Sequence, residues 1–275
     1  PFIVADASFS PQICPHLFEW NGLYYFIAGR GVWMSENQFG PWELHTPSRL
    51  DLLSVPKTAA FTENRRIFAG FLGDRGWGGN LVFRELIQNG DGTLGTKFPP
   101  EMIPLTGAPL KLAFESIIDG SSGNDKKVQI KATDGFEKGM FTDMPEDYRF
   151  TLKIDPKANS LDDKDSHFGV CIKASGDYKK GCELRFEPGK HRVQFGVPHE
   201  GGIGKESGQA IEHVEGLDRT FNLDIVVKDD IVDVSIDNRR TIVTRYWNAD
   251  GDRLFFFAQN ADVVFYSIKV RPLSE

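Results

Sequence analysis

Short apolar runs separated by Gly, Asn, Asp and Pro recur along the whole chain, and none keeps the three-to-four-residue apolar period of an amphipathic helix. The pattern predicts an all-β protein. From Cys14 to His45 the sequence CPHLFEWNGLYYFIAGRGVWMSENQFGPWELH splits at its turns into His16–Trp20, Leu23–Ala28, Gly31–Ser35 and Trp42–His45. Asn21-Gly22 is a strong hairpin signal, because both residues tolerate the positive φ of a type I′ turn. Gly29-Arg30-Gly31 and Phe39-Gly40-Pro41 mark the next two turns. Residues 57–98 divide the same way, into Lys57–Thr62, Arg66–Leu72, Leu81–Ile87 and Thr93–Phe98. Four short meandering strands with aromatic positions on each fit one propeller blade, so residues 1–104 predict two consecutive blades. A closed ring takes about four to eight blades, which makes this a partial β-propeller, its last two blades, with the others upstream. The plainer alternative is a small sheet packed on a second domain.

Pro99, Pro100 and Pro104 break the strand pattern, and a different character follows. Eleven further runs are predicted: Lys111–Ser116, Lys127–Ala132, Tyr148–Ile154, Phe168–Ala174, Cys182–Glu187, Arg192–Val197, Phe221–Lys228, Ile231–Ile236, Thr241–Tyr246, Leu254–Ala258 and Val263–Val270. Asp229-Asp230, Asp237-Asn238 and Ala249-Asp250-Gly251 are the clearest turns between them. This density of strands predicts a two-sheet jelly-roll or concanavalin-like β-sandwich over residues 105–275. His199–Gln209, rich in Gly and charge, is predicted as a mobile loop.

Composition narrows the partners. A formal net charge of −7 argues against a nucleic-acid backbone, and no apolar run approaches the ~20 residues of a membrane-spanning helix. No charged and apolar leader opens the chain, whose Pro-Phe-Ile-Val start suits a processed or truncated product. Three cysteines are too few for a disulfide scaffold, and none has zinc-ligand spacing. Cys171 and Cys182 flank one predicted hairpin, where they either form a disulfide or pack as two thiols. Asp162, Asp163 and Asp165 could ligate calcium but match no strict motif, and a solvated loop is the preferred reading.

Several segments then resemble, in order, motifs of the family 32 glycoside hydrolases and their family 43-like relatives. Cys14-Pro15-His16-Leu17-Phe18 is similar to the Glu-Cys-Pro-Asp segment, and Ser54-Val55-Pro56-Lys57-Thr58 to Tyr-Ala-Pro-Gln-Thr. Arg65-Arg66-Ile67 through Leu72 resembles the Arg-hydrophobic-Trp strand. Arg84-Glu85-Leu86 with Asp91-Gly92-Thr93-Leu94 resembles Pro-Arg-Glu-Leu and Asp-Gly-x-Leu, and Val232–Leu273 the closing strands of the family's sandwich. The resemblance implies a five-bladed propeller joined to a C-terminal sandwich and a hydrolase of O-glycosyl bonds that needs no cofactor or metal. It implies secretion or a periplasmic or cell-surface location. It also implies departures. The position of the family's general acid falls on Ile13, His16 replaces the motif's Asp, and the nucleophile and the transition-state-stabilising Asp belong to blades upstream of Pro1.

Glycoside hydrolysis uses two carboxyl groups, one protonated and one ionised. Glu19 abuts a turn and is a weak candidate. Asp74, in the loop before Trp77, is a catalytic candidate against a plain solvated charge. His16 is a second, as a general acid or a hydroxyl ligand, against a satisfied core histidine. Glu85 is a binding candidate, although an Arg84–Glu85 arrangement inside an apolar strand would satisfy itself. Lys57, on an inner strand facing the axis, would bind an anionic or polar substituent. Trp77 is the best sugar platform, because an indole face stacks on the C–H face of a sugar and the glycines of Gly73–Gly79 let the loop bring its backbone close, whereas Trp20, Trp33 and Trp42 fill gaps between blades. Arg30 and Arg75 complete the binding set. The predicted function is a glycoside hydrolase acting on a poly- or oligosaccharide, this chain being its C-terminal portion. The alternatives are a non-catalytic carbohydrate-binding protein of the same architecture and a purely structural sandwich with two orphan blades. Upstream blades, or a chain supplying them, are the expected protein partner.

Overall fold

The computed structural model describes residues 14–28, 31–116, 120–157, 165–198, 209–246 and 250–274. Ile13, Arg30, Asp162, Asp163 and the predicted loop at 199–208 lie outside the described residues. The chain groups into two units. One holds the described residues up to Ile103 together with Asn238–Val243, and the other holds Pro104–Asp237 with the residues from Thr244 on.

In the first unit Asn21 and Gly22 take φ of 52° and 82°, the positive pair that a two-residue hairpin demands. They join β1 (His16–Trp20) to β2 (Leu23–Ala28), and the meander continues through β3 (Gly31–Ser35) to a short β4 (Glu43–Leu44). These four strands form one antiparallel sheet in the order β1-β2-β3-β4. A second sheet repeats the plan with β5 (Ser54–Ala60), β6 (Arg66–Gly73), β7 (Gly79–Gln88) and β8 (Leu94–Lys97). Two four-stranded antiparallel meanders in succession are two propeller blades.

The sheets are tied by polar contacts that the apolar pattern does not show. Tyr25 Oη donates to the Gly92 carbonyl at 2.7 Å, and Gln88 Nε2 donates to Tyr25 Oη at 2.6 Å. Trp20 Nε1 donates to the Asn64 carbonyl at 3.2 Å, so this indole does fill a gap between blades. His45 Nδ1 donates to the Pro47 carbonyl at 2.6 Å, and its Nε2 accepts the Leu94 amide. Burial pushes the His45 pKa down, which keeps Nε2 free to accept. Segment Asn238–Val243 supplies the carbonyl of Arg239 to the Thr96 amide at 2.8 Å. A Cβ on Gly95 would stand 2.5 Å from that oxygen, so only glycine admits the approach.

The second unit is built from β9 (Phe114–Ser116), β10 (Ser121–Asn124), β11 (Lys127–Phe141), β12 (Tyr148–Pro156), β13 (His167–Ala174), β14 (Cys182–Glu187), β15 (Arg192–Gly196), β16 (Ala210–Ile211), β17 (Phe221–Lys228), β18 (Ile231–Ile236) and β20 (Arg253–Pro272). Between the last two runs β19 (Arg240–Arg245), most of which groups with the first unit. The strand order runs β16-β15-β14-β13-β20-β12-β17-β18. β20 is the hinge of the sandwich. Two predicted runs, Leu254–Ala258 and Val263–Val270, are one twenty-residue strand. Its first part pairs with β13 and its second with β12, while β11 lines its other edge. Asn260 lies at the crossover with φ 48°, and its side-chain oxygen accepts the Gly135 amide at 2.9 Å inside the bulge of β11. Phe141, Phe256 and Phe265 pack edge to face in the core, with centroids 5.1 Å apart at each step.

Cys171 and Cys182 are buried free thiols, not a disulfide. Their register explains it: Cys182 faces Ile172, and Cys171 faces Glu183. β14 alternates, but both of its faces are buried. Leu184 and Phe186 point one way, Glu183, Arg185 and Glu187 the other. Burial and then the Arg185 charge push the pKa of nearby His167 down to about 4. A histidine held neutral in the fold titrates near 6.5 once unfolded. Its contribution is therefore complete above pH 6.5 and is lost as pH falls through about 4. The interval corresponds to ~3 kcal/mol. NMR titration of the His167 ring should give a midpoint near the lower value, with the unit's stability declining across the same window; a midpoint near 6.5 would contradict this.

Candidate functional site

Of the candidate residues, His16 lies at the start of β1, Lys57 on β5, and Asp74, Arg75 and Trp77 in the β6–β7 loop of the first unit. His16 opens β1, and its Nε2 lies 3.1 Å from Thr58 Oγ1 on β5. Arg66 Nη1 donates to the same oxygen at 2.8 Å. A hydroxyl has one hydrogen and a guanidinium can only donate. The hydroxyl oxygen has two lone pairs, so it can accept from Arg66 and His16 together or give its own hydrogen to Nε2. Burial, then the charges of Lys57 and Arg66, push the His16 pKa down. Arg66 lies over the Phe18 ring at 4.4 Å and donates to the Glu19 carbonyl at 3.1 Å. Lys57 Nζ donates to the carbonyls of Cys14 and Pro15 at 2.8 and 2.9 Å.

Lys57 stands opposite Ala69, while Phe71 lies two residues further along β6 on the same face, about 7 Å away. Trp77 sits in the β6–β7 loop, edge-on to Phe71 with centroids 5.2 Å apart. It is 79% exposed, so its indole face is open. Gly79, at φ 151°, approaches the Leu72 carbonyl so closely that a Cβ would fall 1.9 Å from it. That glycine permits the loop which lifts Trp77 out. Asp74 and Arg75 are exposed in the same loop, which the Asp74 amide closes by donating to the Gly78 carbonyl at 2.9 Å. Lys57, Trp77, Asp74 and Arg75 thus belong to one end of the second sheet, with His16 joined through Thr58.

Glu85 is not among them. The sequence pairs it with Arg84, but consecutive strand residues face opposite ways. Arg84 is bound instead to Asp51 at 2.7 Å. Glu85 accepts Arg65 at 2.6 Å and Lys97 at 3.0 Å. Burial pushes its carboxyl up, yet the bonds from these two cations outweigh it and hold the pKa low. An anion so held is a structural tie. Glu19 is exposed at its turn, where Oε1 accepts the Gly22 amide at 2.8 Å. Among the described residues no group of three or more His, Cys, Asp or Glu is placed to hold a metal, and Asp165 is bound to Lys190 at 3.5 Å. Thr58 and Arg66 connect His16 to the second sheet, and nothing local marks a threonine as the relay between two strands 42 residues apart.

No family model and no curated protein matches the sequence. Solved structures do. An exo-inulinase from Aspergillus awamori superposes with a TM-score of 0.62 at 11% identity, covering 97% of this chain and 59% of that one. A sucrose-6-phosphate hydrolase from Lactobacillus gasseri gives 0.59 at 10% identity, covering 95% and 54%. A family 32 β-fructofuranosidase from Bombyx mori gives 0.56 at 12%, covering 96% and 54%. The fold resembles the family 32 glycoside hydrolase architecture. Both units share in the likeness, because the coverage of this chain is nearly complete. The chain spans a little over half the length of these family 32-like structures. Among the described residues no helix is long and apolar enough to cross a membrane.

Proposed function

We propose that this chain is the carbohydrate-engaging C-terminal portion of a glycoside hydrolase-type protein that acts on O-glycosyl bonds of a poly- or oligosaccharide. The observation that carries the reading is Trp77, a 79% exposed indole on a loop beside Lys57, within a fold shared with structures titled as an exo-inulinase and a β-fructofuranosidase. An indole face accepts the C–H face of a sugar ring, and flanking polar groups read its hydroxyls. The His16 imidazole, Lys57, Asp74 and Arg75 are suited to that second task, and Arg30 joins them by sequence position. Hydrolysis falls to the complete protein, with its main carboxylates on upstream blades or a chain that supplies them, in a secreted, periplasmic or cell-surface setting. His16 is a poor general acid as it stands, because its pKa is lowered and Nε2 is engaged. That favours, as a second reading, a non-catalytic carbohydrate-binding protein of the same architecture.

Trp77→Ala tests the binding role. An exposed side chain contributes little to stability, so the variant should melt within ~0.5 kcal/mol of the parent. Its affinity for inulin-type and other oligosaccharides, read by isothermal titration, should fall by roughly tenfold or more, in line with the ~1–3 kcal/mol of a stacked ring. Unchanged affinity would remove Trp77 from the site. Reducing-sugar release by the complete protein separates the hydrolase from the binding protein.

A further inference from the structure

Charges in the first unit are mostly matched. Arg84 has Asp51, Arg65 has Glu85 and Glu101, and Lys97 has Glu85. Lys57 and Arg66 differ. The ammonium of Lys57 meets two backbone carbonyls, and the guanidinium of Arg66 meets a carbonyl, a hydroxyl and an aromatic face. None of these acceptors is anionic. Arg66 feels the charge of Glu19, whose carboxylate hydrogen-bonds the Gly22 amide instead. Arg66 Nε is also buried without a hydrogen-bond partner. Among the described residues, two cations that hydrogen-bond no carboxylate flank one imidazole, in a protein of net charge −7.

The donors left over face the same need. An ammonium has three N–H groups, and Lys57 uses two. His16 has Nε2 engaged by Thr58, which leaves Nδ1 as its other polar atom. We infer that Lys57 and the imidazole of His16, in the positive field of Arg66, form a subsite for an anionic group on the carbohydrate: a phosphate ester, a sulfate ester or a uronate carboxylate. The inference rests on the carbohydrate reading for its ligand but not for its charge. Carbonyl acceptors fix the position of Lys57 without neutralising it, so an incoming anion meets a prepositioned donor rather than a flexible one.

The test titrates the 275-residue chain with glucose and fructose, their 6-phosphates, glucuronate and inorganic phosphate, following heat and the ring resonances of His16. A charged sugar should bind at least ~10-fold tighter than its neutral parent, and the preference should shrink in ~1 M salt. The His16 titration midpoint should rise on binding, since an adjacent anion favours the imidazolium, while that of His45 stays put. Lys57→Met should remove the charge preference and Lys57→Arg should retain it. The wild-type His16 shift stands even if the Met variant folds poorly. Equal binding of charged and neutral sugars would overturn the subsite and leave the carbohydrate reading intact. Equal binding of inorganic and sugar phosphate, with no binding of neutral sugars, would uphold the subsite and overturn the carbohydrate reading. A His16 midpoint unmoved by every anion would overturn the subsite outright.

Discussion

Asp51→Ala should lower the stability of the first unit by ~3–5 kcal/mol, the range for removing one partner of a buried ion pair. Arg84 and Asp51 have side-chain exposures of 2% and 0% and meet at 2.7 Å. The same carboxylate oxygen accepts Thr241 Oγ1 at 2.6 Å, and the other accepts the Leu52 amide at 2.6 Å. Thr241 Oγ1 and Thr96 Oγ1 lie 2.8 Å apart, and the Thr241 amide donates to Thr96 Oγ1 at 3.1 Å. Asp51 thus joins β7 and the returning segment Asn238–Val243 in one network. Its loss removes the carboxylate that pairs with Arg84 and also the favourable field at Arg240, whose pKa burial has already pushed down to about 10 against the pull of Asp51. Thr241→Val should cost less, ~1.5–3 kcal/mol, because a hydrogen bond to the carboxylate is lost while the ion pair itself is kept. Tryptophan emission during denaturation reports this unit, since Trp20, Trp33, Trp42 and Trp77 lie in it and only Trp247 lies beyond. A loss under ~1 kcal/mol for Asp51→Ala would show that the network is not a keystone of the unit.

That network also shows where sequence patterns stop. β1, β2, β3, β14, β17 and β18 begin and end where the apolar runs and their Asn-Gly, Asp-Asp and Gly punctuation place them. Those boundaries are set by local backbone chemistry. β10 is Ser-Ser-Gly-Asn, with no apolar signal, and is a strand because Lys127–Ile130 offers it a partner. β20 is read as two runs because Gln259-Asn260-Ala261-Asp262 looks like a turn, whereas pairing on both edges carries the chain straight through. Residues 50–53 carry no motif, yet Asp51 meets Arg84 and Thr241 across 33 and 190 positions. The candidate site divides in the same way. The glycine-rich loop that carries Trp77 is legible because it is a local fact, whereas the exposure of the indole is read only from the fold. The Thr58 relay and the isolation of Lys57 from carboxylates depend on which strands become neighbours. The partners of Glu85 are illegible for the same reason, since Arg65 and Lys97 lie on flanking strands or at their ends and its chain neighbour faces away.

In the second unit, Glu183→Ala should be as damaging, ~3–5 kcal/mol, because it too abandons a buried cation. Glu183 and Arg185 are exposed by only 1% and 3% at their side chains. Arg185 Nε donates to Glu183 Oε1 at 2.8 Å, its Nη2 reaches the same oxygen, and Tyr178 Oη donates to Oε2 at 2.8 Å. Tyr178 in turn packs on Phe255 and Phe257, at 4.9 and 6.3 Å, and Lys138 lies 5.3 Å over its ring. Removing the carboxylate would take away the acceptor of the Tyr178 hydroxyl and the ion-pair partner of Arg185 in a buried sheet face, each lost partner costing ~1–3 kcal/mol. The decisive comparison is the triple substitution Tyr178→Phe, Glu183→Leu and Arg185→Met. It removes every charge along with its partners. If desolvation of the network nearly cancels its attraction, the triple variant should lie within ~1–2 kcal/mol of the parent, far above Glu183→Ala alone. Circular dichroism melts, which follow the strands of this larger unit, would read both. A triple variant as unstable as the single one would mean that the polar cluster is a net source of stability, and that the Leu184 and Phe186 face of β14 cannot hold the sheet without it.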